Sequence, residues 1–433
     1  MPPVRPRPGT APRPEHPAPP DISRTAALAA LGALGALLIV ALLLVVPWEL
    51  RSGGTAVDVG RDFAAADVAR EAAFHSALRP SSLTSLFLGL LVAAALGLTP
   101  LGARLIRRAA RPLGGGRLAQ VVLAPLVLAV VGRLATLPLS LRSEQLLRDY
   151  GLSTRSWPSW AVDVLKGLAV SSATTAIALL AVFWVVRWSP RHWWAWSAGL
   201  AAALVVLGSF AYPVLVEPVF NSFTSLPQGP LRAELLGLAA RDGQQVDDVL
   251  IADASRRTSA LNAYVSGFGS SRRIVVYDTL LRAAPSREVA LIAAHELGHA
   301  KRLDVLTGTL LGALGAAAGV CALALLLSWR ALLRRAGAAG PADPAVIPLV
   351  LLLVAVGSLL SAPVVSAASR AVETRADLHS LQLTGDVDTF VAVERRLALT
   401  NLSDLEPDPL LYAWFATHPS APERIAFARA WQR

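Results

Sequence analysis

The sequence predicts an all-α polytopic membrane protein of about seven transmembrane helices, with a small α+β domain built into its C-terminal half. Three observations carry that prediction. Of 433 residues, 54% are hydrophobic and only 16% charged, with a mean hydropathy of +0.52, the balance of a chain whose solvent is largely lipid. Apolar runs long enough to cross a bilayer recur along it. Between the fifth and sixth runs the composition turns mixed, with short β-branched segments bounded by glycine and serine.

The net charge of +10 rests almost wholly on arginine, since Lys166 and Lys301 are the only lysines. These arginines stand in short loops between apolar runs, where they set topology. The bilayer is therefore the expected partner and nucleic acid is not. The alanine and arginine bias suggests a GC-rich bacterial genome, and so a bacterial plasma membrane. The single cysteine, Cys321, sits in an apolar run and admits no intrachain disulfide.

Residues 1–22 form a proline-rich tail that is expected to be disordered. Ala26–Trp48 reads as an uncleaved first span, and residues 49–82 as a helical extramembrane loop in which His75 is a surface histidine. Leu83–Leu105, Leu118–Leu141, Val164–Val186 and Trp193–Leu215 supply spans two to five, so residues 23–215 make a membrane domain. Arg133, inside the third span, either faces a protein interior or watery cavity or snorkels toward an end. Residues 142–161 read as a loop, and Trp184, Trp188, Trp193, Trp194 and Trp196 as an interfacial belt.

Residues 216–433 form the second domain. Pro230–Arg241 reads as an amphipathic helix, and Val249–Ala252, Ala263–Ser266 and Ile274–Tyr277 as strands of a small sheet. An edge strand of such a sheet can hold an extended peptide through main-chain hydrogen bonds. Two further spans follow at about 306–327 and 347–368, with a soluble tail from Arg370.

Chemistry concentrates in His295-Glu296-Leu297-Gly298-His299. Histidines at i and i+4 share one face of a helix and can reach one metal ion, and the glutamate beside the first can take a proton from water. This makes the second domain a zinc metallopeptidase with His295 and His299 as ligands and Glu296 as general base. A catalytic zinc wants three protein ligands and one open position. Spans six and seven form a hairpin that returns the chain to the side it left, which brings Glu373 to the metal although it lies far along the chain. Asp377, one turn later, is placed to fix a ligand histidine's tautomer. The bland alternative is an i,i+4 acidic pair on a solvated helix. His418 either donates to a developing oxyanion, with Arg424 sharing the work, or packs a C-terminal helix.

The stretch Tyr212–Arg433 resembles the catalytic half of the CAAX prenyl endopeptidase family of membrane zinc metalloproteases. Pro218-Val219-Phe220-Asn221, Asn262-Ala263-Tyr264, Gly267-Phe268-Gly269, Arg273-Ile274-Val275, Tyr277-Asp278-Thr279-Leu280, the zinc helix, Glu373 with Asp377, and His418-Pro419 with Arg424 carry the resemblance. The loop with Glu144, Tyr150 and Gly151 resembles the family's N-terminal half. The resemblance implies seven spans around a large hydrated chamber, one zinc held by His295, His299 and Glu373, and Asn262, Ala263 and Tyr264 as the substrate-pairing strand. It also implies transition-state help from His418 and Arg424, and removal of C-terminal residues from prenylated proteins or broader action on membrane peptides. Arginine-rich loops make the face opposite the zinc domain cytoplasmic, whereas the resemblance puts the catalytic domain in the cytoplasm. The expected function is therefore zinc-dependent endoproteolysis of membrane-associated or C-terminal CAAX-like substrates. The rivals are broad membrane-protein quality control, intramembrane cleavage, and a non-enzymatic scaffold or transporter with structural zinc.

Overall fold

A computed structural model describes residues 22–50, 57–267 and 272–432. The proline-rich tail up to residue 21, and Phe268 and Gly269 of one resembling motif, lie outside the described residues. In chain order the helices are α1 (Arg24–Val45), α2 (Val59–Asp62), α3 (Ala65–Gly97), α4 (Pro100–Ala110), α5 (Arg117–Asp149), α6 (Trp157–Trp188), α7 (Trp193–Ala211) and α8 (Glu217–Phe220). A mixed region follows with β1 (Phe223–Ser225), α9 (Pro230–Arg241), β2 (Asp248–Ala252), β3 (Ala263–Ser266), β4 (Arg273–Tyr277), α10 (Asp278–Ala283) and α11 (Ser286–Lys301). The chain ends with α12 (Asp304–Leu327), α13 (Arg330–Ala336), α14 (Ile347–Thr384), α15 (Val387–Asn401), α16 (Pro409–Phe415) and α17 (Ala421–Trp431).

Among the described residues seven helices are long and apolar enough to cross a membrane, built on α1, α3, α5, α6, α7, α12 and α14. Their outer faces expose large apolar side chains such as Leu44, Phe87, Leu91, Val214 and Leu360, as lipid-facing helices do. α12 packs between α1 and α7, α5 between α3 and α6, and α14 against α3. The α3–α14 seam is close. A Cβ at Gly97 would lie 2.9 Å from the Pro348 carbonyl oxygen, and one at Gly102, at the start of α4, 2.7 Å from Pro348 Cγ.

Several helices outrun their apolar segments. α3 begins at Ala65, inside the stretch expected to be a separate loop, and α5 runs on to Asp149. α14 does not stop near residue 368 but continues to Thr384, where Gly385 in the left-handed region (φ 66°) ends it. The residues beyond the apolar part are mostly helix formers, so the backbone has no reason to break where the solvent changes. The tryptophan belt divides. Trp184, Trp188 and Trp196 are exposed, whereas Trp193 and Trp194 are buried among α1, α12 and α13 residues.

The sheet has the order β1-β2-β4-β3, with β2 and β4 parallel and both outer strands antiparallel. β1 is three residues long, too short to be read from sequence. Val249, Ile274 and Val276 meet Leu235 and Leu238 of α9 and Val289, Ala293 and Leu297 of α11 in one core, closed by Phe390 of α15. Asp62 and Phe63, at the end of α2, tie that helix to the C-terminal helices: Phe63 packs on Ala398, Leu405 and Ile425, and Arg429 donates to the buried Asp62 carboxylate at 2.7 Å.

The seam makes a stability prediction. Gly102→Ala must displace both Pro348 and the Leu96 carbonyl and is expected to cost about 1–3 kcal/mol. Gly319→Ala, whose Cβ meets nothing within 4 Å, should be neutral or raise stability by up to about 1 kcal/mol. Melting temperatures in detergent separate the two; equal values would mean the seam is slack.

Candidate metal centre

α11 starts after Pro285, whose extended conformation precedes the first turn. Its apolar residues Val289, Ala293, Ala294 and Leu297 go into the core, which turns His295 and His299 together toward α14. Gly298 sits between the two helices: a Cβ there would lie 3.0 Å from His379 Cβ, so glycine is what lets α14 come this near. Glu373 of α14 then faces both imidazoles. The two Nε2 atoms are 3.2 Å apart, with Glu373 Oε2 3.3 Å from that of His295 and Oε1 3.5 Å from that of His299.

The far side of each ring fixes its tautomer. His295 Nδ1 lies 2.9 Å from Asp377 Oδ1, and His299 Nδ1 2.9 Å from Asp304 Oδ2. A carboxylate only accepts, so both rings carry a proton on Nδ1, which leaves Nε2 of each as the nitrogen available to a metal. Glu373 Oε2 is buried and has no hydrogen-bond partner among the described residues. Two imidazole nitrogens and a carboxylate oxygen gathered this closely are suited to share one cation. These three residues offer donor atoms within 4.8 Å of one another, and two nitrogens with one oxygen suit zinc. The residues fit the metal.

A cavity of about 660 Å³ opens on this cluster, lined by Glu296, Glu394, His418, Tyr412, Asn262 and Tyr264 among others. Glu296 sits at its wall, where burial raises the carboxyl above its ordinary value while His295 and His299 pull it down. His418 Nε2 stands 3.4 Å from Glu373 Oε2. Its side chain is 62% exposed, toward the cavity, yet the protein around it holds its pKa down against the pull of Glu373. β3 is the sheet's edge, and Tyr277 N–H donates to the Asn262 carbonyl at 3.0 Å. Antiparallel bonding alternates, so Asn262 and Tyr264 bond to β4, and Ala263 turns its N–H and C=O outward.

Arg424 is placed differently from the oxyanion role expected of it. Its Nε donates to Asp377 Oδ2 at 2.8 Å and its Nη1 to Glu394 Oε1 at 2.9 Å, with Nη2 directed at Asp377 and His295. Its donors are engaged behind His295. His379 lies off the metal, 3.2 Å from Asp242, and His75 reaches the Leu402 carbonyl at 2.8 Å. Three contributors escaped the sequence reading: Asp304 behind His299, Arg375 paired with Asp304, and Glu394 paired with Arg424. Asp304 depends on Leu303, a non-glycine residue in the left-handed region (φ 55°) that turns α11 into α12. The spacing of five residues from His299 was the one available signal.

Residues 225–432 match peptidase family M48, and residues 72–222 match the CAAX prenyl protease N-terminal region of five membrane helices. The chain is 32% identical to the uncharacterized metalloprotease YhfN of Bacillus subtilis, over 72% of this chain and 74% of that one. It is 25% identical to CAAX prenyl protease 1 of Saccharomyces cerevisiae, over 69% of this chain and 70% of the relative. The crystal structure of S. mikatae Ste24p superposes with a TM-score of 0.73 at 20% identity, covering 94% of this chain and all of that one.

The two carboxylates behind the histidines should govern metal retention. Asp377→Asn and Asp304→Asn are each expected to weaken metal binding about 10–100-fold, read as a shift in the chelator concentration that strips half the metal. A midpoint unmoved in both variants would show that the tautomers need no such support.

Proposed function

We propose that this chain, which belongs to peptidase family M48, holds one zinc ion at His295, His299 and Glu373 and cuts membrane-associated or C-terminal CAAX-like substrates. It is an integral-membrane metalloendopeptidase acting on peptides in contact with lipid. The observation that supports the zinc reading is the convergence of the two Nε2 atoms and an unpartnered carboxylate oxygen of Glu373 beside Glu296. We assign residues 23–215 to the membrane domain and 216–433 to the peptidase domain.

Zinc bound there supplies a Lewis acid that polarises a carbonyl and lowers the pKa of water. Glu296 takes a proton from the attacking water as its oxygen bonds to the carbonyl carbon. The same carboxyl returns the proton to the leaving nitrogen while the C–N bond breaks, which releases one carboxylate and one amine. His418, facing the cavity beside Glu373, donates to the carbonyl oxygen as charge develops on it. Ala263 pairs its outward N–H and C=O with an extended substrate, and Asn262 and Tyr264 flank that pairing. Arg424 holds Asp377 and through it His295.

Helix arithmetic supports a membrane-associated substrate. About 20 residues of α14 cross the hydrocarbon, and Glu373 lies 26 residues after Ile347, so the site sits about 10 Å beyond the apolar layer at 1.5 Å per residue. A bond close to a lipid anchor or a span can reach it.

Glu296→Gln should lower kcat on a fluorogenic peptide library about 10²–10⁴-fold with zinc content unchanged; wild-type turnover in that variant would remove Glu296 as the base, and zinc without turnover in either protein would favour a metal scaffold. Ala263→Pro removes an outward donor and no ladder bond, so kcat/KM should fall about tenfold, the size of one lost hydrogen bond, with zinc retained. An unchanged kcat/KM would place the substrate elsewhere.

A further inference from the structure

A second cavity, of about 630 Å³, lies away from the metal between α5 and α6 and is lined by Arg133, Arg155, Arg257, Asp163, Trp160 and Phe220. Its charges do not balance. Asp163 Oδ2 is 3.0 Å from Arg257 Nε and 3.9 Å from Arg155 Nη1, while Arg155 also pairs with the buried Glu144, whose second partner is Arg148. Three guanidiniums thus share two carboxylates. Arg133 makes no ion pair among the described residues. Its Nη1 donates to Ser140 Oγ at 3.3 Å and its guanidinium stands 5.8 Å from the Trp160 ring. The Nε of Arg133 and the Nε of Arg155 are both buried without a hydrogen-bond partner.

An arginine inside a membrane helix, short of partners, marks a site for an anion. Ser140 lies seven residues beyond Arg133, about 10 Å along α5, so the side chain is drawn toward the end that carries the peptidase region. Beside this cationic cavity is an apolar one of about 330 Å³ between α3, α5, α6 and α14. The two share Ala129 and Gly132, and a Cβ at Gly132 would meet nothing within 4 Å, so no atom within that distance of Gly132 closes the neck between them. Ser172 Oγ, on the wall of the apolar cavity, is also buried without a partner.

We propose that the joined cavities bind an anionic membrane lipid, its phosphate on Arg133 and Arg155 and an acyl chain past Gly132 into the apolar pocket. Arginine matches phosphate with two parallel N–H donors, basic pockets between spans hold anionic headgroups, and Ser172 can donate to an ester carbonyl. Charge and shape meet in one molecule.

Native mass spectrometry of the full chain in detergent tests this, with dioleoyl phosphatidylglycerol, dioleoyl phosphatidylcholine and inorganic phosphate titrated separately. The wild type should retain phosphatidylglycerol about tenfold more tightly than phosphatidylcholine, the size of one charge-assisted contact, and phosphate should not displace it. Arg133→Gln should hold the two lipids alike. Gly132→Leu, which plugs the neck and keeps every arginine, should weaken both. Equal retention by the wild type, or a preference that survives Arg133→Gln, overturns the proposal. So does displacement by phosphate with Gly132→Leu harmless, which makes a plain anion site. Displacement by a peptide with a free C-terminal carboxylate, but not by its amide, overturns it too, by giving the cavity to substrate. If Arg133→Gln does not fold, the wild-type comparison and Gly132→Leu decide.

Discussion

Convergence of three metal-binding side chains organises the catalytic half of this molecule. His295 and His299 bring their Nε2 atoms to 3.2 Å from each other, with the Glu373 carboxylate closing the third side. Left alone, that arrangement would relax by turning a ring or drawing in a proton. It is held because each component is fastened from behind: Asp377 and Asp304 grip the Nδ1 protons, and Gly298 keeps α14 near. The scaffold thus carries the cost of gathering the donors, and the cation recovers it on binding, which is how a pre-organised site gains affinity.

The fastening extends outward as alternating charge. Glu394, Arg424, Asp377 and His295 form one chain of contacts, and Arg375, Asp304 and His299 another. Glu394 and Asp377 are almost fully buried, and a buried carboxylate without a partner is strongly disfavoured. Arg424 satisfies both at once. This gives a reason for Arg424 to stand behind His295: its guanidinium pairs with two buried carboxylates at once. His418 lines the cavity instead.

How much of this could be read from the sequence follows the range of the interaction. His295 and His299 were legible because one helical turn joins them, and Glu373 because a pair of apolar spans must return the chain to its starting side. The α9 helix and strands β2 to β4 were legible from periodicity, with ends within a residue. Asp304 was not, since its place depends on a left-handed Leu303 that no composition announces. Glu394 and Arg375 were not, because a list of charged residues does not say which carboxylate meets which arginine. The buried Trp193 and Trp194 were misjudged for a related reason: an aromatic at a helix end looks alike whether its neighbour is lipid or a packed helix. Hydropathy starts α3 too late and ends α5 and α14 too early, because it marks the edge of the bilayer and helix propensity does not stop there.

That last point changes what the membrane helices are for. Pro348 is pressed between Gly97 and Gly102 at one end of α14, and Glu373 stands 25 residues further along the same unbroken helix, about 37 Å away at 1.5 Å per residue. A helix repeats every 3.6 residues, so a slip of one residue at the Pro348 seat would rotate Glu373 by about 100° and carry it off the histidines. The seat is too tight for such a slip, because neither glycine position leaves room for a methyl group. Gly298 and His379 then hold the other end of the helix against α11. The two grips, one on either side of the apolar layer, fix both the height and the rotation of the third metal donor. The spans therefore do more than tether a peptidase to lipid. They are the jig in which its metal site is aligned, and a peptidase half cut free of α3, α4 and the first turns of α14 would keep the histidine pair while losing what aims Glu373 at it.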